Sequence, residues 1–265
     1  MEQDYININK MAWNYKVASH VGSAFYDMPG FLNNPQSLND IELSILGSVE
    51  KLNILHLQCH FGQDSISLSK LGANVTGVDF SEKAIEQAQL LTQQLQTNTQ
   101  FICSDIYNLP QYLKQQFDIV FTSYGTIGWL PDLDRWANII QFYLKPGGRF
   151  VMADFHPVIW MYDDHFKEVT YNYFKDAPIE EVINGTYADR NAAISTRTIS
   201  WNHSISEILN SLLQQGLQLK QFNEYDYSPY NCFNETITIA PKKYQIKHFN
   251  NKIPMVYAIE AVKPI

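Results

Sequence analysis

The stretch Asn53–Asp79, NILHLQCHFGQDSISLSKLGANVTGVD, decides the fold. Ile54, Leu55 and Leu57 read as a buried strand that runs into a tight segment, Gln58-Cys59-His60-Phe61-Gly62. Ile66, Leu68 and Leu71 then mark a helix, Gly72 closes it, and a second strand, Val75 to Val78, ends on Asp79. The result is a βαβ unit with a carboxylate at the carboxyl end of its second strand. Such units bind nucleotide-like ligands in the crevice beyond the strand ends. The first turn of the helix offers free backbone N–H groups and a positive dipole end. A carboxylate at Asp79 can accept hydrogen bonds from both hydroxyls of a ribose. Its plainer role is an acid at the start of the next helix, which Ser81 caps.

The alternation continues outward from this unit. The sequence predicts a strand over 99–104 ending at Asp105, a strand over 117–122, a helix over 133–144 and a strand over 149–154. Lys145-Pro146-Gly147-Gly148 reads as the turn before that last strand. A helix over 205–213 stops at Gly216, and strands follow over 217–222 and 255–262. Strands alternating with helices imply an α/β fold with a largely parallel sheet and right-handed crossovers. Residues 1–50 form a helical preface. Ala12, Val17, Val21 and Phe25 approximate its apolar stripe, Pro29-Gly30 breaks it, and residues 41–46 form a second short helix. Residues 156–202 break the rhythm with a Tyr-, Asp- and Asn-rich hairpin or cap.

Composition narrows the function classes. With 265 residues and 45% apolar content the chain can bury a full core. Its net charge is −8 and it has no Lys/Arg run, which argues against a nucleic-acid partner. No apolar stretch approaches the roughly 20 residues of a membrane span, and the N-terminus lacks a signal-peptide core, so a cytoplasmic protein is expected. Three cysteines far apart (Cys59, Cys103, Cys232) do not suggest a disulfide framework.

Several residues are placed for chemistry. Asp105 occupies on the third strand the place that Asp79 has on the second, where it can accept from an adenine amine, and Ile106 can offer its N–H to a ring nitrogen. The alternative for Asp105 is a loop aspartate that caps the next turn. Gly62 sits at the strand-to-helix turn, where the missing Cβ lets a ligand approach. Gln58 and His60 stand where glycines are expected, so this loop alone is a weak nucleotide signal. Cys59, His60 and Asp64 match no common zinc spacing, and no metal is expected. The loop Ser123–Leu130 follows the fourth strand at the crevice. His156 ends the fifth strand on the same rim and is a candidate general base by location. His203 is a second one, facing the site from above.

The runs ILHLQCHFGQDSISLSKLGANVTGVDFSEKAIEQA, CSDI, FDIVFTSYG, LKPGGRFVMAD and WNHSISEILNSLLQQGL together resemble the class I S-adenosylmethionine-dependent methyltransferases, and within them a bacterial small-molecule-type group with an LQCHFG loop. The resemblance implies a Rossmann-like seven-stranded sheet, six strands parallel and the last antiparallel. It implies S-adenosylmethionine as cofactor, S-adenosylhomocysteine as product and a small-molecule methyl acceptor. Asp79 would then hold the ribose, Asp105 and Ile106 the adenine, and Ser123 the methionine part. Gln58, Cys59, His60, Gly62, Phe80, Ser104 and Tyr124 would complete the cofactor site. The chain departs from the family's acid-x-Gly-x-Gly-x-Gly loop: His56, Gln58 and His60 replace the acid and two glycines. We expect an N-terminal helical lid (1–50) and a methyltransferase domain (51–265) with a cap insertion (156–202). Trp13, Tyr15, Tyr26, Tyr171, Tyr173 and Trp201 would line the acceptor pocket. Alternatives are a nicotinamide-dependent oxidoreductase, a non-catalytic module that binds the same cofactor, and an insertion that serves as a homodimer contact.

Overall fold

A computed structural model describes residues 2–265. Its centre is a seven-stranded sheet. Five strands run parallel: β1 (Asn53–Leu57), β2 (Asn74–Asp79), β3 (Gln100–Cys103), β4 (Phe117–Ser123) and β5 (Leu144–Phe155). Two small strands, β6 (Ile179–Asn184) and β7 (Ser195–Ser200), pair as an antiparallel hairpin outside the sheet. The next sheet strand is β8 (Gln218–Tyr225), and another external hairpin follows, β9 (Thr236–Ala240) with β10 (Lys243–Ile246). The last strand, β11 (Val256–Val262), inserts antiparallel between β5 and β8. The order across the sheet is β3-β2-β1-β4-β5-β11-β8. It reverses between β1 and β4, the switch point at which a crevice opens beyond the strand ends.

Alternate residues of the strands face two helix layers. Leu55, Leu57, Val120, Phe150 and Met152 pack with Trp136, Ala137 and Ile140 of α6 (Leu133–Tyr143) and Ile208 and Leu212 of α7 (Ile205–Gln214). Ile54, Ile119, Phe121 and Val151 pack on the other side, against Ile41 and Ile45 of α3 (Asp40–Leu46) and Leu68 of α4 (Gln63–Lys70). The central strands are buried on both faces, which is why they read as continuous apolar runs. The helix α5 (Glu82–Leu95) starts at Ser81, whose Oγ accepts from Ala84 N–H.

The preface differs from its expected form in two ways. It opens with one long helix, α1 (Glu2–Gly22), and the buried face of that helix carries Tyr5, Asn9, Ala12, Lys16 and His20. Val17 is buried as well and packs with Phe61 and Ile66, so with Ala12 part of the expected stripe does face inward. Three of these six buried residues are polar, and Asn9 and Lys16 look onto the crevice. Pro29-Gly30, expected to break the helix, lies instead in the first turn of α2 (Met28–Asn33), where a proline has no N–H to lose. Two side-chain amides fix α1 in place. Asn9 pairs with Ile199 of β7, accepting from its N–H at 2.8 Å and donating to its carbonyl at 2.7 Å. Asn14 accepts from Ser81 Oγ at 2.6 Å and donates to Glu82 at 2.9 Å.

Two further differences follow from the chain between β4 and β11. The Lys145–Gly148 turn is absorbed into β5 as an irregularity in its pairing with β4. The β9–β10 hairpin was not anticipated. It lies between β8 and β11, and the loop that leads into it from β8 carries Tyr230, Cys232 and Phe233 over the crevice.

Gly62 lies in the left-handed region at φ +81°, and a Cβ there would sit 2.5 Å from the Phe101 ring. Gly216 has a similar φ of +78° with open space around it. Gly216→Ala should therefore cost only the backbone strain, about 1–2 kcal/mol. Gly62→Ala adds overpacking and should cost about 2–4 kcal/mol. Urea unfolding of both variants checks this, and equal losses would mean that Phe101 gives way freely.

Candidate active site

The carboxyl ends of β1, β2, β4 and β5 open into a cavity of about 940 Å³. Its floor is the turn from β1 into α4. Gln58, His60 and Gly62 have φ of +54°, +51° and +81°, so the chain adopts left-handed geometry at every second residue. The turn is thus glycine-like in shape with glycine at only one of the three positions. Gln58 Nε2 anchors it by donating to Thr126 O at 2.9 Å. The His60 ring is enclosed by Trp13, His20, Tyr26 and Phe61. Burial, with smaller contributions from His20 and Lys16, holds its pKa well below the usual histidine range.

Asp79 closes the turn from the side. Oδ2 accepts from His60 N–H at 2.8 Å and Oδ1 from Ser81 N–H at 2.9 Å. The carboxylate is 7% exposed and lines the cavity. Burial raises its pKa to about 6 against the lowering effect of these hydrogen bonds. Next to it, Asp105 does what the plainer reading expected. Its Oδ1 accepts from Tyr107 and Asn108 N–H and its Oδ2 from Asn108 Nδ2, so its oxygens brace the turn after β3. Both Asp105 and Ile106 line the cavity.

At the other end of the floor lies a small acid–hydroxyl cluster that sequence reading did not single out. Asp64, two residues beyond Gly62, accepts from Ser37 Oγ at 2.5 Å and Ser123 Oγ at 2.9 Å and lines the cavity. The position before the turn where the resemblance implies an acid is His56. Its Nδ1 lies 2.8 Å from Ser65 Oγ, and burial lowers its pKa to about 4, so the ring is neutral at pH 7. Tyr124 donates to Glu42 Oε2 at 2.7 Å. Burial, then the charge of Asp64, pushes Glu42 up to about 7. Asp154 at the end of β5 is a loop anchor: it accepts from the N–H groups of Gly125, Thr126 and Ile127 and so shapes the segment after β4.

The residues expected to contact a nucleoside cofactor converge. Gln58, Cys59, His60, Gly62, Asp79, Phe80, Ser104, Asp105, Ile106, Ser123 and Tyr124 all line the one cavity. The two expected bases do not. His156 is buried outside it, with Nε2 2.9 Å from Glu224 and Nδ1 accepting from Val158 N–H. His203 is also buried outside it, between Leu130 O at 2.8 Å and Glu207 at 3.1 Å. Both rings are turned toward the chain behind the rim, so the general-base expectation for them is corrected. Of the aromatics, Trp13, Tyr26, Tyr171 and Trp201 line the cavity, Tyr15 is exposed, and Tyr173 accepts from Ile205 N–H beneath the cap. Lys16, Tyr187 and two aromatics of the β8–β9 loop, Tyr230 and Phe233, complete the wall and were missed. The roughly 30 residues between the last two predicted strands, rich in aromatics, were the available signal for the hairpin.

Comparison with known proteins agrees with this geometry. Residues 48–223 match a family described as a methyltransferase domain. A ubiquinone biosynthesis O-methyltransferase of Coxiella burnetii is 36% identical over 125 residues, covering 47% of this chain and 52% of that one. The chain thus matches only about half the length of that relative. Among solved structures, the DhpI–SAH complex matches with a TM-score of 0.58 at 16% identity, covering 100% of this chain and 99% of that one. An S-adenosylmethionine-dependent methyltransferase from Clostridium acetobutylicum matches with a TM-score of 0.58 at 13% identity, covering 97% and 99%. At these identities the two structures show a shared fold. With the family match spanning most of the chain, it belongs to the methyltransferase domain family, of the class I S-adenosylmethionine-dependent kind.

Proposed function

We propose that this protein transfers the methyl group of S-adenosylmethionine to a small-molecule acceptor held in the roofed cavity. The observation that carries this reading is Asp79, a buried carboxylate at the end of β2, beside a glycine-shaped turn and facing a cavity. The residues present fit the cofactor. Asp79 would accept the ribose hydroxyls. Ile106 N–H, which makes no hydrogen bond among the described residues, would serve an adenine ring nitrogen. The bound sulfonium supplies an already activated methyl group, so the protein's work is to align the partners and exclude water. Residues 1–50 act as a lid and 156–202 as a cap, with the β8–β9 loop as a third wall. A cytosolic setting fits three free thiols.

The fit includes a relocated acid. The cofactor's amino group needs an anionic partner, and neutral His56 cannot be one. Asp64 lines the cavity and is fixed by two hydroxyls, so it takes over this role from the first turn of α4. The nicotinamide alternative needs groups for a pyrophosphate. Lys16 and Arg190 are the cations on the cavity wall, and neither belongs to the turn.

Calorimetry with S-adenosylhomocysteine and NAD tests the main reading. The first should bind and the second should not; the reverse result would favour the oxidoreductase. Asp79→Ala should lose roughly 10–100-fold in S-adenosylhomocysteine affinity, the scale of hydrogen bonds to a charged group. The pH dependence follows from its raised pKa. The carboxylate is the form that accepts from hydroxyls, so affinity should fall as pH drops through about 6, and the weak affinity of Asp79→Asn should be flat over that range. A second titration isolates Asp64. Asp64→Asn should bind S-adenosylhomocysteine about tenfold or more weakly, yet bind 5′-methylthioadenosine, which lacks the amino-acid end, like wild type. Equal losses for both ligands would exclude an amino-group role.

A further inference from the structure

One charge in the cavity has no partner. Lys16 lies on the inner face of α1, 4% exposed, and lines the cavity. Its Nζ is 5.0 Å from the Trp13 ring centroid and 5.9 Å from that of Trp129. Among the described residues it forms neither a hydrogen bond nor an ion pair. Glu181 is the carboxylate whose field reaches it, and Glu181 already accepts from Tyr171 Oη at 2.6 Å. Lys10, one and a half turns earlier on the same helix, shows the ordinary arrangement, more exposed and paired with Glu82 at 2.8 Å.

A buried ammonium without a counter-ion is costly. Two aromatic faces offset part of that by cation–π attraction. Burial lowers the pKa of Lys16 to about 8, which leaves the group mostly charged at pH 7. A residue needed only for packing would be as well served by Leu or Met here, since both flanking rings are apolar. The cavity is therefore built to receive an anion at this point.

On the basis of the cofactor reading above, we propose that Lys16 is the counter-ion of a carboxylate brought into the cavity by a ligand. Two ligands can bring one: the cofactor, through its methionine end, or the acceptor. In either case Lys16 complements Asp64, so the cavity offers a cation and an anion on different walls, a pattern suited to ligands with both charges.

The test compares wild type with Lys16→Met, which keeps the length and apolar contacts, and Lys16→Arg, which keeps the charge. Each is titrated with S-adenosylhomocysteine, with 5′-methylthioadenosine, and, once loaded with S-adenosylhomocysteine, with benzoate and benzamide. If the cofactor supplies the carboxylate, Lys16→Met should lose about tenfold or more in S-adenosylhomocysteine affinity with 5′-methylthioadenosine unaffected. If the acceptor supplies it, S-adenosylhomocysteine affinity should hold, and benzoate should bind the loaded wild type more tightly than benzamide, a preference that Lys16→Met abolishes. Lys16→Arg should restore the affected step in either case. The proposal is overturned if Lys16→Met changes neither S-adenosylhomocysteine nor benzoate binding. Unchanged 5′-methylthioadenosine affinity in the variant shows that fold and nucleoside site are intact. Failure of that ligand to bind wild type would instead remove the cofactor reading.

Discussion

The chain has five residues, Gln58–Gly62, in which to turn from β1 into α4, and the rest of the site depends on how it does so. The turn takes left-handed geometry at three alternate positions, two of which carry side chains. Each such residue costs about 1–2 kcal/mol relative to the right-handed form. That strain persists because the surroundings fix both residues: Thr126 O holds Gln58, and Trp13, His20 and Tyr26 enclose His60. The two roles are joined at Asp79, which accepts from the backbone N–H of His60. The N-terminal segment is thus part of the floor as well as the roof, since its aromatics stabilise the turn on which the nucleoside would rest.

The sheet was legible because its central strands are buried on both faces, and β2 and β4 end at Asp79 and Ser123, each a polar residue after an apolar run. Ser81 and Gly216 gave clear helix signals, and both are used as such. The N-terminal helix was legible in part. Its stripe was sought among Ala12, Val17, Val21 and Phe25; Ala12 and Val17 are buried, and the inward side also carries Asn9, Lys16 and His20. Periodicity analysis scores apolar residues alone, so it finds the first two and is blind to the polar ones beside them.

The histidines show a different limit. His156 and His203 were placed correctly along the chain, at the end of β5 and before α7. Side-chain direction decides function there, and sequence does not carry it. The Glu224 and Glu207 carboxylates lie behind the rim, and each draws one imidazole away from the cavity. Asp64 was weighed only as a metal ligand, and its cavity-facing place went unread for the opposite reason. It stands where a helix-start acid needs no explanation, and only the convergence of Ser37 and Ser123 on it sets it apart.

Asn9 and Asn14 hold α1 by short amide contacts to β7 and to the start of α5. Each such bond contributes roughly 0.5–1.5 kcal/mol net, a modest addition to the contacts of Tyr5 with Trp201 and of Val17 with the cluster around Phe61. What the amides add is direction, since apolar packing tolerates rotation and a two-way amide pair does not. Turned by one residue, about 100°, α1 would carry Lys16 off the cavity wall. Two asparagines thus act as a rotational key for the helix.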